Sequence, residues 1–176
     1  MTDDTPKQEP GRKYGYTGEI RIIDDPSAPD GKRVLTQIVH LGSGDIGGWI
    51  EHEGNLSHDG EAWVFGEARV FGEARVFDNA QVYGNAQVHG NARVFDDAHV
   101  FGNALVYDYA QVSGYARVYC DAKVYGDAKV SGNALVSGDA QVYESAWVYG
   151  SAWVSGNARV YGSVLVSGNA HVFNTQ

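Results

Sequence analysis

From Glu61 onward, apolar and polar positions follow one another with a period of six. Valine occupies position 64 and every sixth residue to Val172, nineteen times without exception. Alanine stands two residues before each valine, with Val164 the only substitute. Glycine fills 13 of the 19 positions two after the valine; Asp78, Asp96, Asp108, Cys120, Glu144 and Asn174 fill the others. Alanine and valine two apart share one face of a short extended segment. The period is not 3.6, and a glycine recurs too often for a helix. Glycine followed by Asn, Asp, Glu or Ser supplies a tight corner, including positive φ. Strand, corner, strand, corner predicts a β-solenoid with a thin interior of Val and Ala, whose stability is collective along the stack.

The first third of the chain reads differently. "GEIRIIDDPSAPDGKRVLTQIVHL" holds two β-branched runs around a Pro, Asp and Gly cluster, which predicts an antiparallel hairpin of Glu19–Asp24 and Lys32–His40. Residues 1–13 are charged and aperiodic and are expected to be disordered. Residues 14–60 are expected to form a hairpin and capping coil, and 61–176 the solenoid. Within "HLGSGDIGGWIEHEGNLSH" the glycines at 42, 48, 54 and 60 keep step with Gly66 and Gly72, which places Ile50 and Leu56 at the alanine position. These look like degenerate opening hexads whose larger side chains close the core.

The unit "A-x-V-x-G-N" resembles the hexapeptide repeats of left-handed parallel β-helices over Glu61 to Gln176, although the glycine stands one residue later than that family often has it. The stretches "GDIGGWIE", "NLS" and "AWVFGEARVFGEARVF" resemble more closely the YdcK-like solenoids of bacteria and their phages. The resemblance implies an all-β, single-stranded parallel β-helix, left-handed and triangular, with three hexads per coil and a little over six coils.

Three hexads per coil would stack residues 18 apart at about 4.8 Å. The residue after each valine then forms three exterior ladders. One reads Phe71, His89, Tyr107, Tyr125, Tyr143, Tyr161, without a break. The others, beginning at Phe65 and Phe77, are interrupted by serines. Stacked aromatics stabilise adjacent rungs, and the unbroken ladder also suggests a contact face for a partner protein, a second copy or a carbohydrate. Trp147 and Trp153, just before their valines, add to the candidate interaction residues. Homo-oligomerisation is expected, end to end at the C-terminal coil or through the Tyr107–Tyr161 ladder.

Composition removes several function classes. Net charge is −9 from 13 basic and 22 acidic residues, against the basic footprint of nucleic-acid or anionic-membrane binding. No apolar run approaches the ~20 residues that span a bilayer. The leading residues lack the apolar core of a secretory signal, and a cytoplasmic location is expected. Cys120 is the only cysteine, so neither a disulfide within the chain nor a paired-cysteine metal site can form.

Four chemistries can be set against these residues. "GSGDIG" spells G-x-G-x-x-G after a strand, but no helix pattern follows to hold a pyrophosphate. Acyl transfer, the trade of many hexapeptide-repeat enzymes, typically uses a histidine beside an extruded loop or subunit interface. Here His89, His99 and His171 fall on regular strands, and His99 and His171 would stand roughly 19 Å apart. His40, His52 and His58 are weak candidates for a zinc site; they fall in phase with the valine position, where capping is the plainer reading. The solenoid carries 7 basic and 11 acidic residues, interleaved, which suits a nucleic-acid mimic poorly. The expectation is a non-catalytic structural or protein-interaction solenoid without cofactor, with a trimeric acyltransferase-like enzyme as the alternative.

Overall fold

The structure, a computed structural model, describes residues 11–174. Strands β1 (Tyr14–Asp24), β2 (Lys32–His40) and β3 (Ile46–Ile50) come first, followed by a single 3-10 turn at Glu53–Asn55. Nineteen strands of two to four residues follow, one per hexad, from Trp63–Val64 to His171–Asn174. They pair in parallel with the strand 18 residues away, as in Val70 with Val88, Val82 with Val100 and Val94 with Val112. Three hexads therefore make one coil, and the strands line up in three sheets. The chain is an all-β parallel solenoid of about seven turns.

The interior is the two apolar series and little else. From Ala62 to Val154 every alanine and valine of the repeat is at most 1% exposed. Two residues after each valine, from Gly66 to Gly168, the backbone turns with positive φ, whichever residue stands there. Asp78, Asp96, Asp108, Cys120 and Glu144 adopt the same left-handed conformation at φ 56–60, which disfavours any side chain. Four of them carry a compensating carboxylate. Asp96, Asp108 and Glu144 accept the backbone N–H of Gly114, Gly126 and Gly162 in the next coil at 2.9, 3.2 and 2.9 Å, and Asp78 accepts that of Asp96 at 3.3 Å. One residue on, Asn79 donates to Asp97, Asn85 to Asn103 and Asn103 to Asp121 across successive coils.

Strand β2 has the bounds its pattern predicts; β1 begins five residues before Glu19. Tyr14, Gly15 and Tyr16 continue the antiparallel pairing with His40, Val39 and Ile38, past an irregularity between Tyr16 and Ile20. Residues 1–10 of the expected disordered segment lie outside the described residues. Lys13, its last residue, is held in place: its Nζ donates to the Ala62 carbonyl at 2.7 Å and its N–H to His58 Nδ1 at 3.2 Å.

Strand β3 joins hairpin to solenoid, antiparallel to β2 through Thr36–Ile50 and parallel to the first coil through Ile50–Val70. The result is a nine-stranded sheet, the hairpin face; the other two have seven and six strands. This pairing corrects the phase read from the glycines. Ile50 meets Val70 and Leu56 meets Val76, each 20 residues away rather than 18. Both therefore hold the valine position, not the alanine position, and two extra residues are taken up between Leu56 and Val64. Gly48 is no corner either: a Cβ there would meet the Ala68 carbonyl and Val64 Cγ1, both at 2.7 Å. It is glycine because β3 lies directly on the first coil.

Asn55 repairs the junction. Fully buried, it accepts the N–H groups of Glu51 and His52 at 3.0 Å each and donates to the carbonyls of Gly72 and Ala74 at 2.8 and 2.9 Å. The side-chain amide takes over pairings that a regular corner would leave to backbone.

Candidate interaction face and its bordering grooves

Residues on either side of each inward valine point outward. On the hairpin face the residue after the valine is aromatic at every coil, and the six rings form one continuous stack. Centroid separations from Phe71 through His89, Tyr107, Tyr125 and Tyr143 to Tyr161 are 4.8, 5.2, 4.9, 4.9 and 5.3 Å. The planes are parallel within 3° until the last pair, at 15°. Parallel stacking covers the faces of the inner rings and leaves their edges and phenolic hydroxyls outward. Tyr161, at 54% exposure, ends the stack. Burial, and then neighbouring Tyr125 and Asp108, push the Tyr107 hydroxyl up to about 12; burial and Tyr143 raise Tyr125 too. Both stay protonated donors at neutral pH.

The other two ladders break where serine replaces the ring. Tyr83, Phe101 and Tyr119 stack at 4.7 and 5.0 Å on one face, and Phe77 and Phe95 at 5.0 Å on the other. At the gaps the tryptophans step in. Trp153 Nε1 donates to Ser137 Oγ and Trp147 Nε1 to Ser131 Oγ, each at 3.0 Å. Each indole leans back one coil toward the serine, so the two lie on different faces from the unbroken ladder and serve their own sheets. The sequence signal was available: each tryptophan stands 16 residues after the serine it covers.

The hairpin covers the N-terminal end of the ladder. Leu35, Trp49 and Phe71 form a small buried cluster outside the main core, with Ile23 against it. Arg21 lies over the Trp49 ring at 4.1 Å and pairs with Glu67 at 2.7 Å. Arg33 ties the hairpin to the solenoid, binding Asp25 and donating to both oxygens of Glu51, at 3.0 and 2.8 Å. Glu51 in turn accepts the Gly72 N–H at 2.7 Å. Burial works to raise the Asp25 carboxyl, but hydrogen bonds from Arg33 and Ser27 outweigh it and hold it at about 2. This network was invisible in the sequence, because 18 or more residues separate Arg33 and Asp25 from Glu51 and Gly72 and no motif spans them.

Two open grooves flank the hairpin. One, of about 510 Å³, runs between β1 and the ladder, with Arg21, Asp25, Arg69, Phe71 and His89 in its wall. Burial lowers the His89 pKa, partly offset by Asp25 and Asp108. The other, of about 580 Å³, holds Lys13, His40, Asp45, Glu61, Trp63 and Phe65.

The three early histidines serve different local partners. His40 Nδ1 accepts the N–H groups of Gly42 and Ser43 at 3.2 and 3.0 Å, with its ring edge-on to Trp63. His52 opens the 3-10 turn, accepts the Gly54 N–H at 3.1 Å and reaches the Gly72 carbonyl at 2.9 Å. His58 stacks on Tyr14 at 4.2 Å. Among the described residues no group of three or more His, Cys, Asp or Glu is placed to hold a metal ion. Of "GSGDIG", residues 42–45 form the turn between β2 and β3, with Gly44 at φ +79, and Ile46 and Gly47 begin β3; no α-helix follows among the described residues. No helix among the described residues is long and apolar enough to cross a membrane. His99 sits edge-on to Tyr83, and His171 edge-on to Trp153.

Residues 128–144 and 152–168 match the family model of the YdcK β-solenoid repeat. The matched stretches fall inside the regular coils, and the uninterrupted 18-residue pairing extends their architecture along the whole array. The chain is thus a YdcK-like repeat β-helix. No curated protein sequence matches it.

Proposed function

We propose that the protein is a non-catalytic structural solenoid that docks a partner protein along the aromatic ladder of its hairpin face. One observation carries this reading. Serine replaces the ring at Ser113 and Ser155 on the other two faces with no tryptophan bonded over it, and the coils there keep their register. The fold does not need an aromatic at every rung, yet the hairpin face has one at all six.

The chemistry favours a protein over a sugar. Carbohydrates stack on ring faces, and here the inner faces are taken by neighbouring rings. What remains outward is a row of ring edges and phenolic hydroxyls, of which that of Tyr125 already donates to Gln141 Oε1 at 3.3 Å; the others suit carbonyl and carboxylate acceptors. Left-handed winding, a triangular cross-section and a capping role for the hairpin belong to the same reading, as do cytoplasmic residence and a phage or bacterial setting. They rest on the resemblance to hexapeptide and YdcK-like solenoids.

The test pairs wild type with a Tyr107→Ser, Tyr125→Ser, Tyr143→Ser variant in pull-downs from a lysate of the source organism, with titration calorimetry against acetyl-coenzyme A alongside. The expected result is a retained protein that the variant loses, and no heat from the cofactor. Saturable binding of the acyl-coenzyme A would favour the acyltransferase reading instead.

A further inference from the structure

We infer that His58 is a proton-operated latch on the start of β1: its neutral ring holds residues 13–16 against the solenoid, and protonation of that ring releases them as far as Gly18. This does not rest on the ladder reading. The Lys13 N–H donates to His58 Nδ1 at 3.2 Å, and the Tyr14 ring stacks on the imidazole at 4.2 Å, 21° from parallel. Tyr14, 1% exposed, belongs to the main core with Leu56, Ala62 and Trp63, and its hydroxyl donates to the Leu56 carbonyl at 2.9 Å. His58 thus holds both this side chain and the backbone beside it.

A backbone N–H can only donate, so Nδ1 is the bare nitrogen of the ring and Nε2 carries the proton. Nε2 is shielded from solvent and has no hydrogen-bond partner among the described residues. A second proton would have to go on Nδ1, where it would point at the Lys13 N–H, donor against donor. Neither ring nitrogen would then have an acceptor, and a buried charge without partners is costly. The ring takes that proton by leaving its place, and the Lys13 bond and the Tyr14 stack go with it.

The groups facing the ring come from three sides. Arg12 and Lys13, just before β1, oppose an imidazolium; Glu53 of the 3-10 turn and Asp59 beside the ring favour one, but Glu53 is already paired with Arg12. Burial raises the Tyr14 and Tyr16 hydroxyls, which stay uncharged. Burial is also the largest influence on His58 and sets its pKa below the ordinary 6.5. The neutral ring therefore stabilises the closed segment fully above 6.5, and that contribution is lost as the pH falls through the lowered value. The strand is built to open there. Its register shifts between Tyr16 and Ile20, where Gly18 has φ +91°, while Arg21 and Arg33 anchor the rest of the hairpin to Glu67 and Glu51. Protonation shifts this closed–open equilibrium against the Lys13 Nζ bonds to the Ala62 and Gly60 carbonyls.

Amide hydrogen exchange of the purified full chain, followed by NMR between about pH 8 and about pH 5, tests this. The readout is the protection factor, which divides out the intrinsic effect of pH. The amides of Lys13 and of Leu41, which donates to the Lys13 carbonyl, should lose protection on acidification. The loss should be about tenfold for each unit by which closing lowers the His58 pKa. The Tyr125 amide, bonded to Val142 in the middle coils, should keep its protection. His58→Gln, whose amide oxygen accepts the Lys13 N–H without titrating, should hold Lys13 protected at both ends of the range. His58→Phe, which keeps a ring on Tyr14 but offers no acceptor, should leave Lys13 unprotected at both. Unchanged wild-type protection, a loss shared by Tyr125, or the same loss in folded His58→Gln overturns the assignment. The purified-protein readout leaves the lysate experiment on the ladder untouched.

Discussion

Gly84 illustrates what a corner demands of its residue. Its φ is +71°, and a Cβ there would stand 3.0 Å from both the N and the O of Gly102 in the next coil. Gly84→Ala combines backbone strain with that contact and should cost about 1–3 kcal/mol. Aspartate would meet the same crowding, but its carboxylate could accept the Gly102 N–H, as Asp108 accepts that of Gly126. That bond recovers about 1 kcal/mol. Urea denaturation should therefore rank glycine above aspartate and aspartate above alanine; an alanine variant at least as stable as the aspartate one contradicts the account of the acidic corners. The inward valines face a harsher constraint. Val124 is fully buried among small apolar side chains with no partner for a charge. Val124→Asp should lose more than about 4 kcal/mol in the same measurement.

At the scale of elements, the junction between hairpin and solenoid hangs on Asn55. Its amide satisfies four backbone groups in a site without exposure. Asn55→Ala orphans them and should cost about 3 kcal/mol; a loss below about 1 kcal/mol would mean that water replaces the amide. The ladder makes a pH prediction. Burial lowers the His89 pKa beneath its ordinary 6.5, so the folded state favours the neutral ring. The stability this gives is complete above the ordinary value and is lost as the pH falls through the lowered one. The melting temperature should decline on acidification below 6.5, and His89→Phe should flatten that decline. An NMR titration placing His89 at or above 6.5 would contradict it.

The same scale shows how far the sequence could be read. Repetition made the coils legible: one valine series, one alanine series and one glycine series, in fixed phase, specify strand, core and corner nineteen times over. The hairpin was legible too, because β2 is a β-branched run with clear turn residues before it. The entry coil was not. Gly48 and Gly54 keep the six-residue beat, but one is a close-contact residue in β3 and the other lies in the 3-10 turn. Only strand pairing reveals that Ile50 and Leu56 belong with the valines. Of the candidate site, the unbroken ladder was legible as a list of aromatics. Its parallel stacking, the serine-filling role of Trp147 and Trp153, and the Arg33 link to Asp25 and Glu51 depend on contacts between distant coils.

The whole molecule is a stack in which each coil contacts only its neighbours, so stiffness and stability accumulate along the axis. Such a body is well suited to holding a straight row of equivalent groups at fixed spacing, and the hairpin face does so with six rings. The lysate pull-down comparing wild type with the Tyr107→Ser, Tyr125→Ser, Tyr143→Ser variant tests that claim most directly. The variant should melt cooperatively as a folded solenoid, as the serine rungs on the other faces imply, and should lose a protein that wild type retains. An identical set of retained proteins from wild type and the folded variant would contradict the account.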